Sequence, residues 1–390
     1  MMQRAYKYRF MPTPEQAHNL ACTFGCCRVV YNWALKRRAV AWFEHGQRVT
    51  YNDLSHALTE LKKQEGTRWL AEVSSVPLQQ SLRHVEKALV NFFEKTAKYP
   101  KYKKKQKKQS ATYVNTAFVW NGSTLTLAKQ KEPLAIVWSR PLPENVKPSS
   151  VTITKDKAGR YFISILVEEE IAPLPPIDKT IGIDLGLKSF LITSDGETID
   201  NPKYYARYEK KPAKLERKKA KKKKGSKNCD KARKKVARLH AKIADTRRDF
   251  QHQLSTRLVH ENQVICVETL AVKNMLKNHC LAKAISDVGW SEFVRQLEYK
   301  AAWYGRTVVR IDRFSPSSKT CHCCGWVKED LTSEDRVFVC QDCGNVTDRD
   351  YNAACSILAV GLTASVCGGH VRRGKRKLGH AVSNEAESPS

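Results

Sequence analysis

The chain has 390 residues, which is enough for two or three domains with sizeable hydrophobic cores. Lysine and arginine together number 69 against 39 acidic residues, so the formal net charge is +30. This excess is far beyond what solubility requires and favours a polyanionic partner. The 13 cysteines come without a signal-peptide pattern or a long apolar run. We therefore expect a chain in a reducing cytoplasm, neither a membrane protein nor a secreted disulfide scaffold.

The first hundred residues begin with a strand pattern and continue with helical patterns. Residues 4–10, RAYKYRF, alternate aromatic and basic residues with the period of a half-buried strand. Thr13 and Gln16 form the pattern of a capping box, which predicts a helix start. Apolar residues then recur with helical spacing to about residue 97. Three cysteines of this segment lack a partner pair, so we do not expect them to bind a metal: Cys22, Cys26 and Cys27.

Short strand patterns replace the helical ones from about residue 110 to residue 170. The last of them, residues 151–170, reads as a hairpin that turns at residues 156–159. These strands predict a small β-barrel or sandwich, with the first strand of the chain returning to complete it. The proline-rich segment APLPPIDKT at residues 172–180 predicts a linker between domains.

The basic charge is concentrated in two segments. Residues 203–248 contain only four acids, which are Glu209, Glu216, Asp230 and Asp245. Helix-forming residues and a plausible break at Gly225 and Ser226 favour a basic helical hairpin there over a disordered run. A second cluster, KYPKYKKKQKK, occupies residues 98–108. Such segments neutralise phosphates, which gives affinity for nucleic acid without sequence preference.

Two C-x-x-C-G pairs near the C-terminus have the spacing of a zinc ribbon. Their four thiolates are a tetrahedral ligand set for Zn²⁺: Cys321, Cys324, Cys340 and Cys343. Gly325 and Gly344 follow the pairs, where a tight turn needs positive φ. His322 and Cys323 lie inside the first pair as competing ligands, and disulfides or free thiols are the other alternative. Because all four positions are used, the predicted zinc is structural and leaves no open site for catalysis.

Three acidic residues lie directly against buried elements. Asp184 interrupts the apolar strand TIGIDLG, and Glu268 ends the apolar strand in QVICVETL. Asp350, in TDRDYNAACSIL, stands at the start of a helix. Each alone is more often a helix cap or a loop charge, but together they predict a site for Mg²⁺ or Mn²⁺. Two such ions about 4 Å apart hydrolyse phosphodiesters, which on a basic protein indicates a nuclease.

With these residues identified, the chain resembles the TnpB (OrfB) family of transposon-encoded RNA-guided DNA endonucleases, which is related to the type V CRISPR effectors. GIDLG, VET after a basic insert, and a four-cysteine ribbon leading into DRDYNAA are similar to the RuvC-type nuclease domain of that family. YKYRFMPTPEQ, YNWAL and SPSSKTCHCCG match other parts of it, so the resemblance covers most of the chain. One departure is SATYVN at residues 110–115, where the family has an aromatic-containing segment.

The resemblance implies an α+β multidomain chain. Its parts would be a wedge-like β-barrel (1–10 and 110–171), an inserted helical recognition domain (11–109), a linker (172–180), a RuvC-like nuclease domain of RNase H fold (181–315 and 347–364), an inserted zinc ribbon (316–346) and a disordered tail (365–390). By adjacency, the ribbon would fix the entry of the helix that carries Asp350.

The resemblance also implies a function and its partners. The chain would cut double-stranded DNA beside a short transposon-associated motif, guided by an RNA from the transposon end. Asp184, Glu268 and Asp350 would hold two Mg²⁺ or Mn²⁺ ions, while one structural Zn²⁺ occupies the ribbon. Asp348 is the close alternative to Asp350, but the family places the catalytic acid directly before x-Asn-Ala. We expect a prokaryotic cytoplasmic protein that associates with the nucleoid on DNA, with a monomer as the simplest oligomeric state.

Two other functions compete with this interpretation. An RNA-independent DNA transposase with the same core orders its acids Asp, Asp, Glu, whereas this chain has Asp, Glu, Asp. A nuclease-inactive relative that represses transcription through guided DNA binding loses one or more of the acids, and all three are present here. Structural or ribosomal roles explain the charge and the ribbon, but they leave the carboxylates unexplained.

Overall fold

The structure is a computed structural model that describes residues 2–366, apart from residues 145, 313, 314, 316, 333 and 334. Its strands are β1 (Met2–Met11), β2 (Gln109–Val114), β3 (Phe118–Trp120), β4 (Leu125–Leu127), β5 (Ala135–Val137), β6 (Ser150–Lys155), β7 (Tyr161–Glu169), β8 (Thr180–Leu185), β9 (Ser189–Thr193), β10 (Thr198–Asp200), β11 (Val264–Glu268), β12 (Thr307–Ile311), β13 (Val337–Val339) and β14 (Val346–Asp348). Most of the predicted C-terminal tail lies outside the described residues.

The helices complete this mixed α/β architecture. They are α1 (Pro14–His45), α2 (Tyr51–Lys63), α3 (Ser75–Phe93), α4 (Tyr204–Tyr208), α5 (Lys210–Ala220), α6 (Lys227–Glu261), α7 (Val272–Met275), α8 (Ala282–Val288), α9 (Trp290–Tyr304) and α10 (Arg349–Val366). Two short 3₁₀ segments cover Glu65–Ala71 and Asn115–Ala117. None of the helices in the described ranges has both the length and the hydrophobicity to cross a bilayer.

The chain forms two compact units that meet in sequence after Glu170. The first unit also includes Lys223–Arg238, and the second continues from Leu239. In the first unit, β2-β6-β7-β1-β5 form one antiparallel sheet and β3-β4 a separate pair. β1 lies between β7 and β5, which confirms that the first strand returns to the later ones. Within the described residues these strands form an open sheet and a pair, with no hydrogen-bonded ring of strands.

Local signals in the first unit are confirmed. The Thr13 hydroxyl accepts the backbone N–H of Gln16, and the Gln16 side chain accepts the N–H of Thr13, which is the predicted capping box. Gly159 has a φ of +87°, which closes the predicted hairpin turn. Cys26 and Cys27 are core residues, and burial raises the pKa of their thiols to about 12 and about 11. Cys22 is exposed.

The second unit is built on a five-stranded sheet in the order β10-β9-β8-β11-β12. Strands β8, β9 and β10 are antiparallel, whereas β11 and β12 run parallel to β8. The sheet packs on a core that includes Phe190, Phe293 and Leu297. The predicted linker belongs to this unit, because the Leu174 N–H donates to the Tyr304 carbonyl at 3.1 Å.

The basic segment 203–248 is helical, so the alternative of a disordered run is wrong. It contains α4, α5 and most of α6, and the chain leaves helical geometry between α5 and α6. Gly225 lies in that break with a φ of +86°, which few other residues adopt without strain. The exposed lysines at residues 221–224 occupy the same break.

Candidate active site and zinc ribbon

Asp184 and Glu268 lie side by side at the carboxyl ends of two parallel strands. The register of β8 and β11 pairs Gly182 with Cys266 and Ile183 with Val267, and the two acids come next on each strand. Because neighbouring residues in register point to the same face of a sheet, the two carboxyl groups emerge together. The backbone N–H of Leu185 lies near both of them and lowers the pKa of each, against the larger effect of burial. The structure therefore brings together two of the three predicted acids through strand register alone.

The electrostatics of this pair are those of crowded, poorly solvated carboxyl groups. Burial, followed by the charges of Glu268 and Asp350, raises the pKa of Asp184 to about 8. Burial also raises the pKa of Glu268 to about 7. Both groups resist ionisation without a positive charge nearby, and a cation is one remedy for such a group.

Asp350 lies in the first turn of α10, the helix that packs against the face of β8 and β11. The approach of this helix depends on two glycines. A Cβ placed on Gly182 would lie 2.1 Å from the Ala354 carbonyl oxygen, and one on Gly361 would lie 2.3 Å from the Cys266 sulfur. Only hydrogen at these positions permits the contact. This close packing brings the first turn of α10 near Asp184. The charge of Asp350, in that turn, contributes to the raised pKa of Asp184.

Two arginine side chains lie beside the Asp350 carboxylate. The Arg349 guanidinium donates to one Asp350 oxygen from Nε at 3.0 Å and from Nη2 at 2.8 Å. Arg336 places its Nη1 3.9 Å from the other oxygen. The charge of Arg349 also acts on Asp184, where it lowers the pKa against the larger effect of burial. Sequence reasoning missed both arginines, although Arg349 lies between the two aspartates of the DRD motif.

The four predicted cysteines come together in the ribbon. Their sulfur atoms all lie within 4.8 Å of one another, and the three carboxyl groups are not grouped as tightly among the described residues. Cys321 and Cys343 have sulfurs 3.7 Å apart, and those of Cys324 and Cys340 are 3.5 Å apart. A Zn–S bond of about 2.3 Å gives a tetrahedron with edges of about 3.8 Å, whereas a disulfide is about 2.05 Å long. The cluster therefore fits zinc, and the disulfide alternative does not fit.

Each cysteine pair is held in a tight turn. Gly325 and Gly344 have φ values of +81° and +73°, as predicted, and their N–H groups donate to the carbonyls of Cys321 and Cys340. The second pair occupies the loop of the β13–β14 hairpin, which leads directly into α10. Neither competing ligand joins the cluster. The His322 ring lies 2.9 Å from the Asn352 side-chain oxygen, and Cys323 is exposed.

Models of protein families match three parts of the chain. Residues 163–279 match OrfB_IS605, described as "Probable transposase". Residues 290–357, which include the ribbon, match the Cas12f1-like TNB domain, and residues 1–47 match a helix-turn-helix domain of the OrfB_IS605 type. In the structure those first residues form β1 and the single helix α1.

Whole-length relatives agree with these matches. A Streptomyces pristinaespiralis protein is 54% identical over 372 residues, covering 95% of this chain and 92% of its own length. One from Escherichia coli K12 is 31% identical over 388 residues, covering 95% and 96%. Both are named "Putative RNA-guided DNA endonuclease", the second with the suffix InsQ. The chain therefore belongs to the TnpB (OrfB) family.

A solved structure gives independent support for the fold. The Cas12f1 chain of a Cas12f1–sgRNA–target DNA complex matches with a TM-score of 0.56 and 15% sequence identity. The match covers 88% of this chain and 83% of the Cas12f1 chain. At this identity the similarity concerns the fold, which is shared over most of both chains.

Proposed function

We propose that the chain is an RNA-guided double-stranded DNA endonuclease of a transposable element, with Asp184, Glu268 and Asp350 as its catalytic acids. The observation that carries this proposal is the strand register that sets Asp184 beside Glu268, with Asp350 near enough to raise the pKa of Asp184, in a chain of the TnpB family. Asp184 and Glu268 come from adjacent parallel strands, and Asp350 from the helix packed across them. No requirement of packing explains partly buried acids on three neighbouring elements.

The sheet topology supports a RuvC-like nuclease domain of RNase H fold. Three antiparallel strands are followed by two strands that run parallel to the first, and the first strand lies at the centre. This arrangement places the ends of β8 and β11 next to each other, so that ligands from distant parts of the sequence share one site. The ribbon interrupts the domain between β12 and α10, as the family resemblance implies.

The acidic site fits Mg²⁺ or Mn²⁺. It offers carboxylate oxygens only, the ligands that such cations prefer, and burial penalises the charges of two of the acids. Asp184, Glu268 and Asp350 would hold the ions. A pair of bound ions would supply an activated water and stabilisation of the leaving oxygen of a phosphodiester. Arg349 and Arg336 place positive charge beside Asp350, which limits the repulsion among the acids.

The ribbon would hold one structural Zn²⁺. The four sulfur ligands close the coordination sphere, so this metal organises the chain and takes no part in hydrolysis. The ribbon hairpin ends at Asp348 and α10 begins at Arg349, so an ordered ribbon fixes where the helix starts. Cys343→Ser should therefore lower the zinc content and destabilise the region around Asp350.

The basic surface supports guide RNA and DNA as partners. The net charge of +30 and the exposed lysines at residues 221–224 would neutralise phosphates without reading bases. Sequence selection would come from base pairing between RNA and target strand, while the protein reads a short motif beside the target.

Sequencing the RNA that co-purifies with the protein provides the first test of this function. We expect one abundant RNA with a constant part and a variable end that pairs with the target. With this RNA and Mg²⁺, wild-type protein should cut a matched plasmid. Asp184→Ala, Glu268→Ala and Asp350→Ala should bind the same plasmid without cutting it. Absence of a defined RNA, together with cleavage that needs none, would refute the proposal.

A further inference from the structure

Asn352 connects the helix that carries Asp350 to the first zinc knuckle. Its side chain is fully buried, and both ends of the amide are hydrogen-bonded to the backbone. The amide oxygen accepts the N–H of His322 at 3.0 Å, and the amide nitrogen donates to the carbonyl of Thr320 at 2.7 Å. Because a backbone N–H only donates and a carbonyl only accepts, these contacts fix the orientation of the amide.

The two backbone groups that Asn352 binds flank a zinc ligand. Thr320 and His322 are the neighbours of Cys321, whose sulfur belongs to the cluster. One turn further along α10, the Ser356 hydroxyl also donates to the Thr320 carbonyl, at 2.9 Å. One face of α10 therefore holds the backbone on both sides of Cys321. Any shift of this backbone when zinc binds or leaves acts directly on the helix.

The other side of α10 is pressed against the sheet at Gly182 and Gly361. The helix thus lies between the sheet, which carries Asp184 and Glu268, and a knuckle that bound zinc would order. Asp350 precedes Asn352 by two residues, or about 3 Å along the helix axis. It lies in the first turn, where the helix lacks a full set of internal hydrogen bonds. The Asn352 contact is therefore well placed to determine where the carboxylate of Asp350 stands.

We propose that Asn352 is a positioning residue through which zinc in the ribbon sets the place of Asp350, so that zinc binding raises the affinity of the acidic site for divalent cations. This inference rests on the proposed function, because it requires the acids to be a cation site. It goes further in making the two metal sites thermodynamically coupled. Coupling of this kind typically changes affinity about 5- to 150-fold and is reciprocal.

Asparagine is the residue type that this contact requires. Its amide offers an acceptor to the His322 N–H and a donor to the Thr320 carbonyl at the same time. Asn352→Asp keeps the acceptor but places a carboxylate against a carbonyl oxygen. Asn352→Ala removes both backbone hydrogen bonds and also the contact with the His322 ring. Asn352→Ala should therefore weaken the coupling between the two metal sites more than Asn352→Asp does.

The test measures Mn²⁺ binding to the full-length protein by electron paramagnetic resonance, with zinc content determined in parallel. The Mn²⁺ bound by wild type but not by Asp184→Asn defines the acidic site. Asn352→Ala should keep one zinc per chain yet bind Mn²⁺ about tenfold more weakly. Asn352→Asp should lie between. The matched control is Asn262→Ala, another fully buried asparagine of the same unit, whose amide donates to Leu258 and should not affect Mn²⁺ binding.

A double-mutant cycle tests whether zinc acts on the acidic site through Asn352. Cys343→Ser should weaken Mn²⁺ binding in the wild-type background, and it should add little when Asn352 is already alanine. If Asn352→Ala does not fold, the same cycle with Asn352→Asp decides the question. Wild-type Mn²⁺ affinity in Asn352→Ala, full additivity in the cycle, or loss of zinc from Asn352→Ala would each overturn the inference. A wild-type protein that binds no Mn²⁺ would instead refute the proposed cation site itself.

Discussion

The carboxylate of Asp348 accepts the backbone N–H of Asp350 at 2.9 Å, and it also accepts that of Tyr351 at 3.1 Å. Asp348 is therefore the N-cap of α10, while the Asp350 side chain pairs with Arg349. Two aspartates that are separated by one residue have different roles. The first holds the start of the helix, and the second is the one that the proposed function assigns to the cation site.

Asp348→Ala should retain partial cleavage and lower the free energy of unfolding by about 1 kcal/mol, the usual cost of losing an N-cap. Asp348→Ser should recover most of that stability, because serine also caps helices. Asp350→Ala should abolish cleavage. Thermal unfolding and plasmid cleavage of the three variants check this. Equal inactivity of Asp348→Ala and Asp350→Ala, with both proteins folded, would show that the two roles are not separate.

Asp184→Asn should stabilise the metal-free protein. The wild-type carboxyl is buried, with the charges of Glu268 and Asp350 also acting on it, and a neutral amide of the same size removes both the cost of burying a charge and the repulsion. A gain of about 1 kcal/mol would raise the melting temperature by roughly 2–4 °C in EDTA. Added Mg²⁺ should stabilise wild type but not the variant. The control is Glu298→Gln, an exposed acid paired with Arg310. An equal response of wild type and Asp184→Asn to Mg²⁺ would contradict the assignment of Asp184.

Lys300 should make the stability of the second unit depend on pH. Its ammonium is buried and donates to the His252 carbonyl and to the hydroxyls of Ser255 and Thr256. Burial lowers the pKa of Lys300 to about 7. Above pH 7 the folded state has therefore released a proton that the unfolded chain keeps. Because the unfolded state then binds more protons, stability rises with pH up to about pH 10.

The free energy of unfolding should rise by at most about 1.4 kcal/mol per pH unit because of Lys300, since this is the limit for one proton. Lys300→Met should flatten it, whereas Lys273→Met, at an exposed position on α7, should leave it unchanged. Urea unfolding of the RNA-free protein at pH 7, 8 and 9 measures the slope. A slope in Lys300→Met equal to that of wild type would show that this lysine keeps its ordinary ionisation.

Signals confined to one segment of sequence were sufficient to predict much of the fold and to single out the candidate site residues. Asp184 could be singled out because a charge interrupts an apolar strand, and the ribbon because four cysteines have a ligand spacing. The Asn352 contact could not be predicted, because it joins residues about thirty positions apart through one amide. The sequence also could not predict that position 182 must be glycine. That requirement comes from the packing of a helix that follows some 170 residues later.

The lysines between α5 and α6 should contribute affinity without specificity. Replacing Lys221, Lys222, Lys223 and Lys224 with glutamine should weaken binding to all nucleic acids to a similar extent. The slope of log affinity against log salt should also fall, by up to about 0.7–0.9 for each phosphate that is no longer neutralised. Removal of the residues after 370 should have a far smaller effect. Filter binding at several salt concentrations separates the two, and the reverse result would assign nucleic-acid binding to the tail.

Retargeting of cleavage tests the central claim most directly. The variable end of the co-purified RNA is replaced with a sequence that matches a second plasmid site beside the same short motif. Cleavage should move to the new site, require Mg²⁺, and disappear in Asp184→Ala. Cutting that stays at the original site, that proceeds equally without RNA, or that persists in Asp184→Ala would contradict an RNA-guided nuclease built on these three acids.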